Sequence, residues 1–386
     1  MRICNIYTVA IVAFLNCAQS CQKENPGTSG VPGTSPEPPA TSSGFNYVYE
    51  QGTDGFEAYR IPAIVKTDEG TLLAFAEARR TRSAGDSGDI DLVVKRSTDG
   101  GTTWSKSITV WDDGGNTCGN PVPIVGKNGA IHLLMTWNNG EDKWGTITQG
   151  KGKDTRRPFY CCSTDDGRTW SKPVELTEAI KKDSWKWYGT GPCHGIMLKN
   201  GKYSGRLVSP NYFTVMENGK VVSYSHAVYS DDNGLTWKPG EPTVSGGVGE
   251  CSVVELQDGT LMLNMRASDG FYRKYCTSTD GGETWSAPAA DNELIDCNCQ
   301  GSIINDGKCL FFSNAASATE RINMTVRKSS DEGQTWQGHY LVYPGKSGYS
   351  DLVDISDDKI AVFYEGGEKR YTEGLDFKII AKNSIQ

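Results

Sequence analysis

STDGGTTW, residues 97–104, decides the fold because the chain repeats it. Further copies are STDDGRTW (163–170), SDDNGLTW (230–237), STDGGETW (278–285) and SSDEGQTW (329–336), with starts 66, 67, 48 and 51 residues apart. In each, Asp and Gly suit a tight hairpin turn, where the carboxylate accepts backbone N–H groups. The Ser or Thr hydroxyl can close the loop, and the Trp can pack beneath it. One such octapeptide would say little. Five in one chain indicate an array of like β units, a propeller or a solenoid.

Outward from these turns lie runs that read as strands: TLLAFAEAR (71–79), AIHLLMTWN (130–138), GRLVSPNYF (205–213), TLMLNMRAS (260–268), KCLFFSNAA (308–316) and KIAVFYEGG (359–367). About four strands per repeat predict an all-β, six-bladed β-propeller with antiparallel four-stranded blades. The sixth blade, lacking a copy of the turn, would pair FNYVYEQG (45–52) with FKIIAKNS (377–384), and closing the ring removes exposed sheet edges. Helical periodicity is scarce; residues 175–182 could form one or two turns.

Composition sets limits on function. A net charge of -8 leaves no basic excess for a nucleic-acid partner, although a local arginine cluster can still hold a small anion. The glycine count of 45, with 10 Trp and 17 Tyr, suits many turns and aromatic surfaces. Arg2, the apolar run Ile6–Leu15 and the small Ala18 and Ser20 make residues 1–21 a signal peptide. It is of lipoprotein type if Cys21 is lipidated, with Cys17 the second candidate. The expected location is therefore periplasmic, cell-surface or secreted. Residues 22–44, containing KENPGTSGVPGTSPEPPATSSG, cannot form a core and read as a flexible tether. The remaining 45–386 form one domain. Nine cysteines lie beyond Cys21; an odd number leaves at least one thiol free, and neither Cys161–Cys162 nor Cys297-Asn-Cys299 has zinc-site spacing.

The five turns are similar to the Asp-box of the sialidase superfamily, and the resemblance covers nearly all of 45–386. It implies a site elsewhere than the boxes, with residues carried over by motif. Arg60 in YRIP, Arg266 in MLNMRA and Arg321 in ERINMT would form a triad for a sialic acid carboxylate, Arg327 being the rival for the third place. Three guanidiniums give planar, charge-assisted bonds that lysine cannot copy. Tyr349 in GYSDL matches the nucleophile. A neutral phenol is not repelled by the substrate's carboxylate, and sialidases depart from the two-carboxylate rule by using a tyrosine nucleophile. The phenol needs a base, and Glu250 in GECSVVEL matches it, with Glu255 expected to point elsewhere. Asp86 in AGDSGDIDLVVKRS matches the acid/base, with Asp89 and Asp91 as rivals. Arg79 in AEARR matches a sugar-contacting arginine. Its usual aspartate partner is replaced by Asn120 in CGNPVP, which can still hydrogen-bond a hydroxyl. Met135 and Trp137 are candidates for an N-acetyl pocket, with core packing an equal reading. His194 in GTGPCHGIML is expected to position a loop.

The resemblance thus implies a retaining exo-α-sialidase acting on sialylated glycans, with no metal or cofactor, and a monomer by default. Two alternatives stand beside it. A non-catalytic Asp-box propeller would bind glycans but need no Tyr, Glu and Asp together. A trans-sialidase would share the site and differ at its rim, where Trp144, Trp185, Trp187 and Tyr188 are the candidates.

Overall fold

The computed structural model describes residues 44–82 and 85–386. The signal-peptide and tether readings for 1–21 and 22–44 fall, but for Gly44, outside the described residues. Among the described residues, nearly all regular secondary structure is strand. The α-helices, Trp144–Thr148 and Thr177–Ile180, have five and four residues. The second lies within the stretch expected to turn.

Hydrogen bonding joins the strands into four sheets of seven, five, four and eight strands. Pairing is antiparallel throughout, save a single parallel contact between Ile90 and Thr117. The plainest unit is Val248–Glu255, Leu261–Ala267, Tyr272–Ser278 and Ala289–Ile295, paired in chain order. The seven-stranded sheet has an edge built from both ends of the domain: Tyr47–Glu50 pairs with Gly374–Ala381, Tyr49 opposite Leu375. Six strands pack in a cycle, each touching the next and the last touching the first. In order they are Ala58–Lys66, Thr117–Val125, Leu207–Glu217, Val248–Glu255, Ser302–Asn305 and Gly338–Ser356. The first five are buried along most of their length, and in Gly338–Ser356 the buried stretch is residues 347–353, so none shows a clean inside–outside alternation.

The repeated turns are alike at atomic level. In the first, Ser97 Oγ donates to Asp99 Oδ1 at 2.7 Å, Thr103 N donates to the same oxygen at 2.9 Å, and Thr103 Oγ1 donates to Oδ2 at 2.6 Å. Asp165, Asp232, Asp280 and Asp331 accept the same set. These bonds hold the carboxyls of Asp99, Asp165, Asp232 and Asp331 down at about 2. Gly101 is required twice over: its φ is +89°, and a Cβ there would sit 2.1 Å from the Phe377 ring. Trp104 meets that same ring edge-on at 5.3 Å. The turn thereby clamps neighbouring sheet layers, which is why glycine and tryptophan recur together.

Two buried carboxylates stitch the centre. Asp351 Oδ2 accepts Ile64 N at 2.8 Å and His194 N at 3.0 Å, while Oδ1 meets His194 Nδ1 and Ser302 Oγ at 2.7 Å each. Glu365 accepts Ile61 N and Tyr349 N, both at 3.1 Å. His194 is thus an anchor between strands, as its loop-positioning reading anticipates. None of the nine described cysteines is in a disulfide.

Candidate active site

Interruptions in strand pairing deliver the polar groups. The register slips at Arg60/Ala63, Gly119/Val122, Val248/Cys251 and Ser347/Ser350. These slips flank Arg60, Asn120, Glu250 and Tyr349 respectively. A bulge leaves a residue outside the ladder and re-aims its side chain. Ile61 and Asn120 take left-handed backbone, with φ of 59° and 51°. For β-branched Ile61 that is strained, and Glu365 holds it by its N–H.

Tyr349 is the centre. Its hydroxyl donates to Glu250 Oε1 at 2.7 Å and lies 2.9 Å from Oε2. Arg266 Nη1 donates to the Tyr349 oxygen at 3.0 Å and to Glu250 Oε2 at 2.6 Å. The guanidinium carbons of Arg60 and Arg321 lie 5.2 and 5.1 Å from the Tyr349 ring centre. Both also lie over Tyr371, at 5.5 and 5.1 Å. The three predicted arginines therefore surround one phenol. Burial, reinforced by the Glu250 charge, pushes that phenol well above its usual range, and Arg266 and Arg321 only partly offset this.

Asp86 lines the same cavity as Tyr349. Its Oδ1 is 3.1 Å from Arg79 Nη2 and 3.9 Å from Arg60 Nη1. Burial works to raise its carboxyl, but Arg79, Arg60 and Arg156 outweigh it and hold the group below its ordinary value. Arg79 is fixed by Glu77. Glu77 also accepts Asn120 N at 2.9 Å, so one carboxylate holds both predicted sugar-contacting residues. Asn120 in turn accepts Arg156 Nη2 at 3.2 Å and donates to Thr190 O at 3.1 Å. A cavity of about 300 Å³ joins Asp86, Glu250, Arg266, Tyr349, Asn298 and Trp187 along its walls.

The rival residues are engaged elsewhere. Asp91 and Asp89 face Arg80 at 3.0 and 3.7 Å. Glu255 accepts Lys199 N and Asn200 N. Arg327 donates to Asn314 Oδ1 at 3.2 Å. Met135 is wholly buried in a core cluster, and Trp137 packs against that cluster, donating to Asp113 at 2.7 Å. Neither lines the cavity, so the N-acetyl reading for them is not supported and the packing one is. Of the rim candidates Trp144 and Trp187 line the cavity, and Trp185 and Tyr188 do not. Trp185 stacks on Phe213 at 3.7 Å between centroids, and Tyr188 is buried against His226. Trp187 is buried too, under Arg156, although its edge reaches the cavity. Of the four, only Trp144 is exposed, at 49%.

Sequence reasoning missed Glu77, Arg156, Asp351, Glu365 and Tyr371. A signal existed for Glu77 and Glu365: each is the one acidic residue inside a mostly apolar strand, LLAFAEAR and KIAVFYEGG. Arg156 stands beside Arg157, and nothing in the sequence separates them.

Residues 70–362 match the family described as a BNR repeat-like domain. The chain is 35% identical to an exo-alpha-sialidase of Aspergillus fumigatus, over 81% of this chain and 79% of that one. The chain belongs to the sialidase family. It is also 34% identical to a sialidase of Micromonospora viridifaciens, over 82% of its own length but only 51% of the relative's. The chain thus spans about half of that longer sialidase. Among solved structures, the Hadza microbial sialidase Hz136 superposes with a TM-score of 0.80 at 29% identity, over 88% of this chain and 69% of that one. The sialidase family frame gives the Tyr349 cluster its most direct chemical reading.

Proposed function

We propose that the chain is a retaining exo-α-sialidase that releases terminal sialic acids from glycans through a sialyl-tyrosine intermediate. One observation carries this reading: Tyr349 bonds to Glu250 at 2.7 Å inside a ring of Arg60, Arg266 and Arg321. The fold reading that goes with it is a six-bladed propeller, supported by the cycle of six inner strands and by the joined chain ends.

The steps follow from charge. The substrate carboxylate enters among the three guanidiniums, which bind it in planar pairs. A phenol held neutral approaches the anomeric carbon without repulsion, and Glu250 takes its proton as the bond forms. Asp86 is ionised while Arg60 and Arg79 face it. An incoming carboxylate neutralises part of that positive field and raises Asp86 toward protonation. It then donates to the leaving oxygen and later deprotonates the attacking water. Two displacements at one carbon retain configuration.

A fluorogenic sialoside assayed with wild type and Tyr349→Phe tests the reading, with proton NMR of the first-formed sugar reporting the anomer. Turnover lost in the variant and an α-anomer product are expected. Equal turnover in both proteins, or an initial β-anomer, would overturn it. Transfer to an added sugar acceptor, or an anhydro product, would move the reading to a trans-sialidase, and a chain that binds without turnover would be a lectin-like propeller.

A further inference from the structure

Cys297, Asn298 and Cys299 form a tight bend that puts Asn298 in the cavity wall, with Asn298 in left-handed backbone at φ 61°. The bend places both flanking thiols at one small cluster with Ile61 and Tyr349, and Cys297 Sγ also faces Ala315 O at 3.8 Å. Between them, Asn298 Oδ1 accepts Arg266 Nε at 2.5 Å. Cys299 is buried and packs in one cluster with Tyr349 and Ile61, while Cys297 is partly exposed at its margin. Three consecutive residues therefore offer an accessible thiol, a hydrogen bond to a triad arginine and a buried thiol against the phenol. None of these contacts requires two thiols; serine and alanine would serve the packing.

We infer that Cys297 and Cys299 form a reversible thiol-modification site, in which oxidation to a disulfide displaces Asn298 and Cys299 and so disables Arg266 and Tyr349. The oxidant class is a low-molecular-weight disulfide. The Cys297 thiolate attacks one of its sulfurs, forming a mixed disulfide and expelling one thiolate. Cys299 then attacks the Cys297 sulfur and expels the second. Two protein thiols are oxidised, one small disulfide is reduced to two thiols, and the two protein protons leave with them. Cys297 is suited to lead: it is the more exposed of the two thiols, and the neighbouring Cys299 and the Arg321 charge favour its thiolate, so its thiol lies below the ordinary value despite burial. A bridge across a single residue is strained, and strained disulfides are the readily reduced, regulatory ones.

The inference rests on the sialidase reading for its effect on turnover, so the experiment reads chemistry and coupling separately. The full chain is treated with oxidised glutathione, digested without reduction and mapped by mass spectrometry. Sialoside turnover and hydrogen exchange in the peptides holding Arg266 and Tyr349 are followed in parallel. A Cys297–Cys299 bridge is expected, with turnover down at least about tenfold, since small misplacement of reacting groups costs that much. Exchange should rise in both peptides, and dithiothreitol should restore everything. Cys297→Ser should resist the oxidant and keep its untreated turnover. Absence of the bridge, a complete bridge with unchanged turnover and exchange, or equal inhibition of Cys297→Ser would each overturn the inference. A reduced wild type that turns over no sialoside would defeat the catalytic reading instead, and exchange alone would then decide the thiol site.

Discussion

Arg60 and Glu365, 305 residues apart in sequence, form a buried two-point ion pair. Arg60 Nε and Nη2 donate to the two carboxylate oxygens at 2.9 and 3.2 Å. The same carboxylate holds the backbone N–H groups of Ile61 and Tyr349. One side chain thereby sets a triad arginine and the nucleophile in common register. Replacing Glu365 by Gln keeps an acceptor but removes the charge that fixes the guanidinium. Steady-state kinetics should show KM raised about tenfold with a smaller fall in kcat, the pattern of lost substrate binding. A variant with unchanged KM would show that Arg60 does not need this partner.

Glu250 and Tyr349 should behave as one unit. Glu250→Gln removes the proton acceptor and should lower kcat by about 10²–10³, the range for a positioned base. Combining it with Tyr349→Phe should add little to the loss in either single variant. Stopped assays of all three proteins, alongside circular dichroism to show retained fold, would check this. Multiplying effects would mean that the two side chains act independently.

The pH dependence should differ between free and occupied enzyme. In the free protein Asp86 lies below its ordinary 3.8 because Arg79, Arg60 and Arg156 outweigh its burial. Substrate charge offsets those arginines, so the acid required for leaving-group protonation titrates higher in the complex. The kcat profile should therefore retain activity to higher pH than the Asp86 limb of kcat/KM allows. Coincident limbs would rule out this coupling.

The Asp-boxes set an acid limit on the fold. Their carboxyls are depressed from 3.8 to about 2 in Asp165 and Asp232. Stability from a depressed carboxyl is present above its unfolded value and is lost as pH falls through the folded one. The melting temperature should decline between pH about 4 and about 2, and Asp165→Asn should flatten part of that slope. At neutral pH, Asp280→Ala should cost about 1–2 kcal/mol, the scale for one exposed-edge hydrogen-bond cluster. Differential scanning calorimetry over that pH range measures both.

Asp351 should matter more to the fold than any box residue. It is fully buried and accepts from Ile64, His194, Ser302 and Leu352. Asp351→Ala strands several buried donors at once and should cost about 3 kcal/mol or more. Urea unfolding would show it, and a loss within the noise would mean the donors find other partners.

The repeats were legible because their chemistry is local: each Asp bonds to residues two to four positions away, so the octapeptide carries its own structure. Arg60, Glu250 and Tyr349 were legible through their motifs, and the structure brings them together around one phenol. The bulges that aim them were not legible, since a register slip depends on the partner strand. Glu77, Asp351 and Glu365 escaped notice for a related reason. Asp351 takes bonds from Ile64 and His194, and Glu365 from Arg60 and Ile61, 157 to 305 residues away, while Glu77 is joined to Asn120 43 residues on; an acid within an apolar strand marks a buried charge but does not name its partner. Of the rim candidates Trp144 and Trp187 reach the cavity, whereas Trp185 and Tyr188 are taken up by Phe213 and His226 in the core, a difference their sequence context did not show.

The pairing of Tyr47–Glu50 with Gly374–Ala381 has a bearing on biosynthesis. Tyr47–Glu50 leaves the ribosome about 330 residues before its mate, so one edge stays open while the intervening sheets can already assemble. Completion of the molecule is a late event of high sequence separation, slow by nature, and the waiting edge is where a nascent chain would be most in need of a chaperone.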